Sequence, residues 1–375
     1  MNFTDEERMS LRNILEVNLN VKKDEKVFVI TNDPDTLPDQ LKGKGRDLFF
    51  MAQELYEIGK DICDISLIVA TAVRMHGEEP GEEIWKGVLP EAYDEIVREG
   101  IWERIKSKKA GEVEGRVFEI VRRSSDRVDA VVAMTYFSTS HTLFRRVLNR
   151  SRGTRYASMP LFERYMLTGA MSVDYREIER ISVAVKDKLE GAKKIFIEAP
   201  NGTELEIYVE GRSFIADTGL LHNPGDFGNL PAGEVFVAPV EGFSRGKLVI
   251  EYGPEEGKLP SPVVVYIENG NGVRVEGEGK VRDLLEKKFE EDERCRNVAE
   301  LGIGTNGGAT HVENILEAEK ILGTIHVAFG DNSSFGGKVS APFHQDFVVF
   351  QPTVQVEKKG EVFYLHREGK LLIDS

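Results

Sequence analysis

Gly323-Thr324-Ile325-His326-Val327-Ala328-Phe329-Gly330, followed shortly by Ala341-Pro342-Phe343-His344-Gln345-Asp346-Phe347-Val348-Val349, is the part of the sequence around which the chain is organised. Both runs are rich in β-branched and aromatic residues, which predicts strands. Strand side chains alternate between faces, so His344 and Asp346, two apart, leave the same face. His326 sits in the companion strand, which ends in glycine. Imidazole and carboxylate are the donors a borderline divalent cation prefers. Taken alone, His344 and Asp346 read more readily as a hydrogen-bonded pair without an ion, and His326 shifts the reading toward metal.

Outward from this triplet, four glutamates are candidates to join it. Glu234 opens an apolar strand just after the Gly/Pro-rich stretch Gly225-Asp226-Phe227-Gly228-Asn229-Leu230-Pro231-Ala232-Gly233, and loop-to-strand junctions often position functional groups. Glu300 precedes Leu301-Gly302-Ile303-Gly304, where glycines permit a close backbone turn. Glu317 and Glu319 fall on a helix expected over 311–321. Two apart, they share no helix face, so one reaches the site and the other is solvated. Glu234, Glu300, His326, His344 and Asp346 make five groups. One zinc ion needs three or four. Five, with a bridging carboxylate, suit two ions about 3.5–4 Å apart that activate a water. Glu319 and Glu300 are then the candidates for handling that water's proton.

The rest of the chain reads as a frame. Short apolar strands at 26–31, 65–71, 128–136 and 153–160 alternate with helical segments at 5–20, 49–60 and 90–106, the pattern of a parallel sheet. Residues 161–192 read as helical. After Gly191, strands and glycines dominate, beginning with a hairpin about Pro200-Asn201-Gly202. The expected fold class is α/β: an open, doubly wound N-terminal domain over residues 1–175, and a C-terminal mixed α+β metal-binding domain, rich in strands, over 176–375. No Gly-x-Gly-x-x-Gly follows the first strand, which removes support for a nucleotide site. His141 reads as part of a helix cap, Arg145 and Arg146 as solvated, His311 as a cap or surface group, and His222 as a residue near the cavity. His76 and His366 read as exposed.

Composition narrows the function classes. A formal net charge of −15 argues against a nucleic-acid partner. Two cysteines, Cys63 and Cys295, provide neither a disulfide framework nor a thiolate metal site. No stretch approaches the length of a membrane span, and the first ten residues are polar and acidic, so a soluble cytoplasmic protein is expected. Dense charge of both signs along the helices is a thermophilic trait.

The motifs, in order, resemble the thermophilic metallo-aminopeptidases: aminopeptidase T, aminopeptidase S and leucyl aminopeptidase II, peptidase family M29. The resemblance rests on Ser140-His141-Thr142 with Arg145-Arg146, Gly153-Thr154-Arg155, Asn201-Gly202-Thr203-Glu204-Leu205, Asn229-Leu230-Pro231-Ala232-Gly233-Glu234-Val235-Phe236, Ala299-Glu300-Leu301-Gly302-Ile303-Gly304-Thr305-Asn306, Gly323-Thr324-Ile325-His326 and His344-Gln345-Asp346. It implies a homodimeric peptide hydrolase with two divalent ions (zinc, cobalt or manganese) held by Glu234, Glu300, His326, His344 and Asp346. Two departures stand out. The tyrosine that such enzymes carry shortly after the first metal histidine is missing, and Phe335 is the nearest aromatic residue. An acidic residue five before that histidine is replaced by Ile321, with Glu319 two further back. The Gly-Thr-Ile-His form is also similar to a related branch, the 2,5-dihydroxypyridine 5,6-dioxygenases. That branch would hold one Fe(II) on His326, His344 and Asp346. A metal-dependent aminopeptidase is the leading expectation, with the iron dioxygenase or a metal-free binding protein as alternatives.

Overall fold

A computed structural model describes residues 2–107, 111, 113–254 and 256–373. The chain forms two compact units: Met1–Tyr175 with Gly219–Pro231, and Arg176–Thr218 with Ala232–Ser375.

The first unit is an α/β layer structure. Its sheet runs in the order Asp64–Ala70, Lys26–Asn32, Ala130–Met134, Arg155–Ser158 and Phe227–Asn229. Every neighbouring pair is parallel. Ala130–Met134 is buried throughout and Lys26–Asn32 nearly so, which explains why both read as continuous apolar runs rather than alternating ones. Parallel neighbours require crossovers, and helices such as Lys42–Gly59 and Glu114–Arg123 supply them. On one face Trp85 packs edge-on against Trp102 and Phe144. The first helix, Asp5–Asn13, starts in a capping box between Thr4 and Glu7.

Three expectations change in detail. Phe227–Asn229, read from sequence as loop, is the sheet's edge strand. Its Phe-Gly-Asn sequence has little strand character, but pairing with Arg155–Ser158 orders its backbone. The helical stretch 161–192 divides into a 3-10 turn, Arg164–Thr168, and a helix, Tyr175–Leu189. The helix expected over 311–321 shrinks to Ile315–Ala318, begun by Asn314, whose side chain accepts from Leu316 N. Among the described residues, no helix is long and apolar enough to cross a membrane.

The second unit holds two antiparallel sheets. The larger is eight-stranded, with Asn271–Glu276 at one edge, Lys370–Leu371 at the other and the Lys194–Glu198/Glu204–Tyr208 hairpin near its centre. The smaller runs His344–Val349, Ile325–Gly330, Val298–Gly304, Glu234–Val237, Ile215–Asp217. Both contribute to one core. Ile195, Ile207, Leu248 and Val265 from the larger sheet join Val235, Leu301, Ile303, Val327, Phe329 and Phe347 from the smaller. Each such side chain, once fully buried, contributes about 1.5–3 kcal/mol. In the smaller sheet, one residue set faces this core and the alternate set faces away. The alternate set carries the chemistry.

Candidate metal centre

Strand register gathers the five expected ligands. Ala328 pairs with Glu300 on one side and Asp346 on the other. His326 pairs with Gly302, Glu234 with Gly304, and His344 with Gly330. On the face away from the core, acidic and imidazole side chains therefore alternate with the smallest residues, Ala328 and three glycines. The small residues leave room for the functional ones. A Cβ at residue 302 would overlap Nε2 of His326, and one at residue 304 would overlap the carbonyl oxygen of Ile321.

His326 Nε2 lies 3.3 Å from Glu234 Oε2 and 3.3 Å from Glu300 Oε1. His344 Nε2 lies 3.6 Å from Glu300 Oε2 and 3.5 Å from Asp346 Oδ2. The side chains form two trios with converging ligand atoms: Glu234, Glu300 and His326, then Glu300, His344 and Asp346. Glu300 belongs to both. His326 is fully buried, while the His344 side chain is 29 % exposed, so the centre opens on the His344 side.

These residues fit a divalent cation. Glu234 Oε2 and Asp346 Oδ1 are buried without a hydrogen-bond partner, a costly state that a cation would relieve. His344 Nδ1 donates to the carbonyl oxygen of Asp331 at 2.7 Å, which fixes the ring and leaves Nε2 as the donor atom toward the site. Without an ion, protonated imidazoles offset the carboxylate charge. Burial alone would depress His326, but its hydrogen bond to Glu300 and the charges of Glu234 and Asp346 push it up to about 9. His344 is likewise pushed up to about 10, Asp346 and Glu300 outweighing burial. Burial works against the Asp346 charge, yet His344 and His326 pull its carboxyl down to about 2. Burial raises Glu300.

Sequence reasoning missed Lys320. This lysine is wholly buried, with Nζ 2.7 Å from Glu234 Oε1 and in contact with Glu319 Oε1. Burial opposes its charge, but Glu234, Glu319 and Asp217 together hold its pKa above the ordinary lysine value. A lysine near the end of a short helix reads from sequence as solvated. The available signal was its place between Glu319 and Ile321, where the chain closes over Gly304. Glu319 lies just past the helix and points to Lys320. Its carboxyl is pushed up to about 8, chiefly by burial. Glu317 is not solvated: it is fully buried, and Oε1 accepts from the backbone N–H groups of Thr310 and His311.

Other histidines settle elsewhere. His366, read as exposed, is buried with neither ring nitrogen hydrogen-bonded, and burial pushes it down to about 4. His222 is exposed in the first unit, its Nε2 2.7 Å from the Val17 carbonyl oxygen. Phe335, at the position where a tyrosine was expected, places its ring edge-on to His344, with centroids 6.0 Å apart. The site thus gains an apolar wall where a phenol was expected.

A family model described as 2,5-dihydroxypyridine 5,6-dioxygenase matches residues 124–364, a span that includes all five ligand-type residues. No curated protein matches the sequence. Among solved structures, the chain is similar to 2,5-dihydroxypyridine dioxygenase from Pseudomonas putida KT2440, with 16% identity and a TM-score of 0.68, covering 98% of this chain and 96% of that one. It is also similar to wild-type AmpT from Thermus thermophilus, with 16% identity and a TM-score of 0.57, covering 99% of this chain and 100% of that one. At such identities the likeness is one of fold, and it agrees with the α/β architecture described above. The family model points to an enzyme.

Proposed function

The chain belongs to the 2,5-dihydroxypyridine 5,6-dioxygenase family, and from that premise we propose an oxidoreductase that opens an electron-rich hydroxylated ring with dioxygen at a single ferrous ion. The observation that carries this reading is the set His326, His344 and Asp346. Two imidazoles and one carboxylate leave one face of adjacent strands, the donor set suited to non-haem Fe(II) with positions left open. When bound, a ferrous ion would overcome the spin barrier between dioxygen and the closed-shell ring, and the ring itself would supply the four electrons that reduce both oxygen atoms. The chain's own groups do the rest. The Asp331 carbonyl holds His344 in the tautomer that offers Nε2. Phe335 beside His344 gives a flat, apolar surface against which a ring can lie. Glu319, held protonated near neutral pH by burial, is the carboxyl we propose for exchanging a proton with a ring hydroxyl.

One observation favours a second reading. The two oxygens of Glu300 face two different histidines, a disposition that suits a carboxylate bridging two ions. That arrangement supports the aminopeptidase chemistry expected from the sequence. Iron-reconstituted protein supplied with 2,5-dihydroxypyridine in an oxygen electrode separates the two. Oxygen uptake with one iron per chain is the expected result. Amine release from leucine peptides, independent of oxygen and requiring two cobalt or zinc ions, would replace the oxidoreductase with the hydrolase.

A further inference from the structure

The Lys320 ammonium is packed inside an otherwise acidic centre. Its side chain is wholly buried, and its Nζ bonds Glu234 at Oε1 and Glu319 at Oε1. The backbone that carries it is fixed at both ends: Lys320 N donates to Glu317 O at 2.9 Å, and Lys320 O accepts from Asn306 N at 2.9 Å. The close packing on Gly304 leaves this segment little room to withdraw. The alternative for the ammonium is an apolar interior, so the charge stays where it is.

Glu234 is also the residue on which a second ion would depend, because the trio Glu234, Glu300 and His326 has no other member of its own. Glu300 is shared with the other trio, and His326 is the imidazole that the single-ion reading takes from this one. A divalent ion there would share Glu234 with a fixed positive charge a hydrogen bond away, and like charges at that range repel strongly in a dry interior.

We infer that Lys320 is the resident second cation of this centre: its ammonium holds Glu234 in place of a second metal ion and restricts the site to one ion, on His326, His344 and Asp346 with Glu300 beside them. This role rests on the single-ion reading above and names the residue that enforces it. Lys320 acts by position and charge, without touching substrate.

The test is a titration of metal-free protein with Co²⁺, followed by calorimetry and the visible absorption of bound cobalt. Wild type is expected to take up one Co²⁺ per chain and Lys320→Met two, the second producing its own absorption change. Glu234→Gln is expected to keep a stoichiometry of one Co²⁺ per chain, with affinity lowered by at most about 10–100-fold. It remains informative if Lys320→Met does not fold. Two ions in the wild type overturn the inference, as does a folded Lys320→Met that still binds only one, or loss of the ion in Glu234→Gln. One ion in both wild type and Lys320→Met removes the role of Lys320 but leaves the single-ion centre standing. No ion in the wild type removes both.

Discussion

At Gly302 a methyl group would overlap Nε2 of His326, the nitrogen that faces Glu234 and Glu300. Gly302→Ala therefore has to displace the imidazole or the strand. A loss of about 10–100-fold in Co²⁺ affinity is expected, the range seen when a ligand's support is removed. Gly307→Ala is the control, because its Cβ would meet nothing nearer than Leu322 Cδ2 at 3.8 Å. Unchanged affinity in Gly302→Ala would mean His326 is not a ligand. The same imidazoles set a proton count. In the metal-free protein His326 and His344 hold protons up to about 9 and about 10, and an ion must displace them. About two protons should be released per ion bound at neutral pH, with release fading above those values. Calorimetry in buffers of different ionisation enthalpy reads this directly, and binding without proton release would refute it.

The strands were legible because period-two alternation is plain in them. In Val298–Gly304, Leu301 and Ile303 enter the core while Glu300, Gly302 and Gly304 face the site. His326 and Ala328 alternate in the same way with Val327 and Phe329. Five ligand-type residues could thus be named from residue type and spacing, although their convergence needed the strand order. What stayed hidden depends on tertiary packing. Phe227–Asn229 is a strand only because a neighbour pairs with it. Lys320 turns inward because Gly304 lets its backbone approach. Glu317 is buried because the turn before its helix offers it two N–H groups. The division of labour between the two faces yields a prediction. Leu301 is 1% exposed and points away from the site, so Leu301→Ala should cost about 2–5 kcal/mol of stability. A denaturant midpoint shifted down, with metal stoichiometry unchanged, is the expected pair of results. Loss of the metal alongside normal stability would show that the faces are not independent.

For the whole molecule, the centre makes stability depend on pH and on metal in opposite senses. His326 and His344 have pKa values raised from the ordinary 6.5 to about 9 and about 10. Groups raised in this way stabilise the folded state fully below their unfolded value. Their contribution is lost as pH climbs through the folded one. Glu319, raised to about 8, acts in the same direction, since it must ionise in a buried place. Asp346 has the opposite sign, but its window lies near pH 2–4 and does not enter here. Metal-free protein should therefore lose stability steadily between about pH 6.5 and 10. Metal-loaded protein should not. Its histidines are already proton-free, and weaker proton competition tightens binding as pH rises, which stabilises the folded state by mass action. The difference in Tm between Co²⁺-loaded and metal-free protein, measured by scanning calorimetry at pH 7 and again at pH 9.5, should widen. A constant difference would mean that the imidazoles carry no protons in the free protein, and a narrowing one that metal and protons do not compete for the same nitrogens.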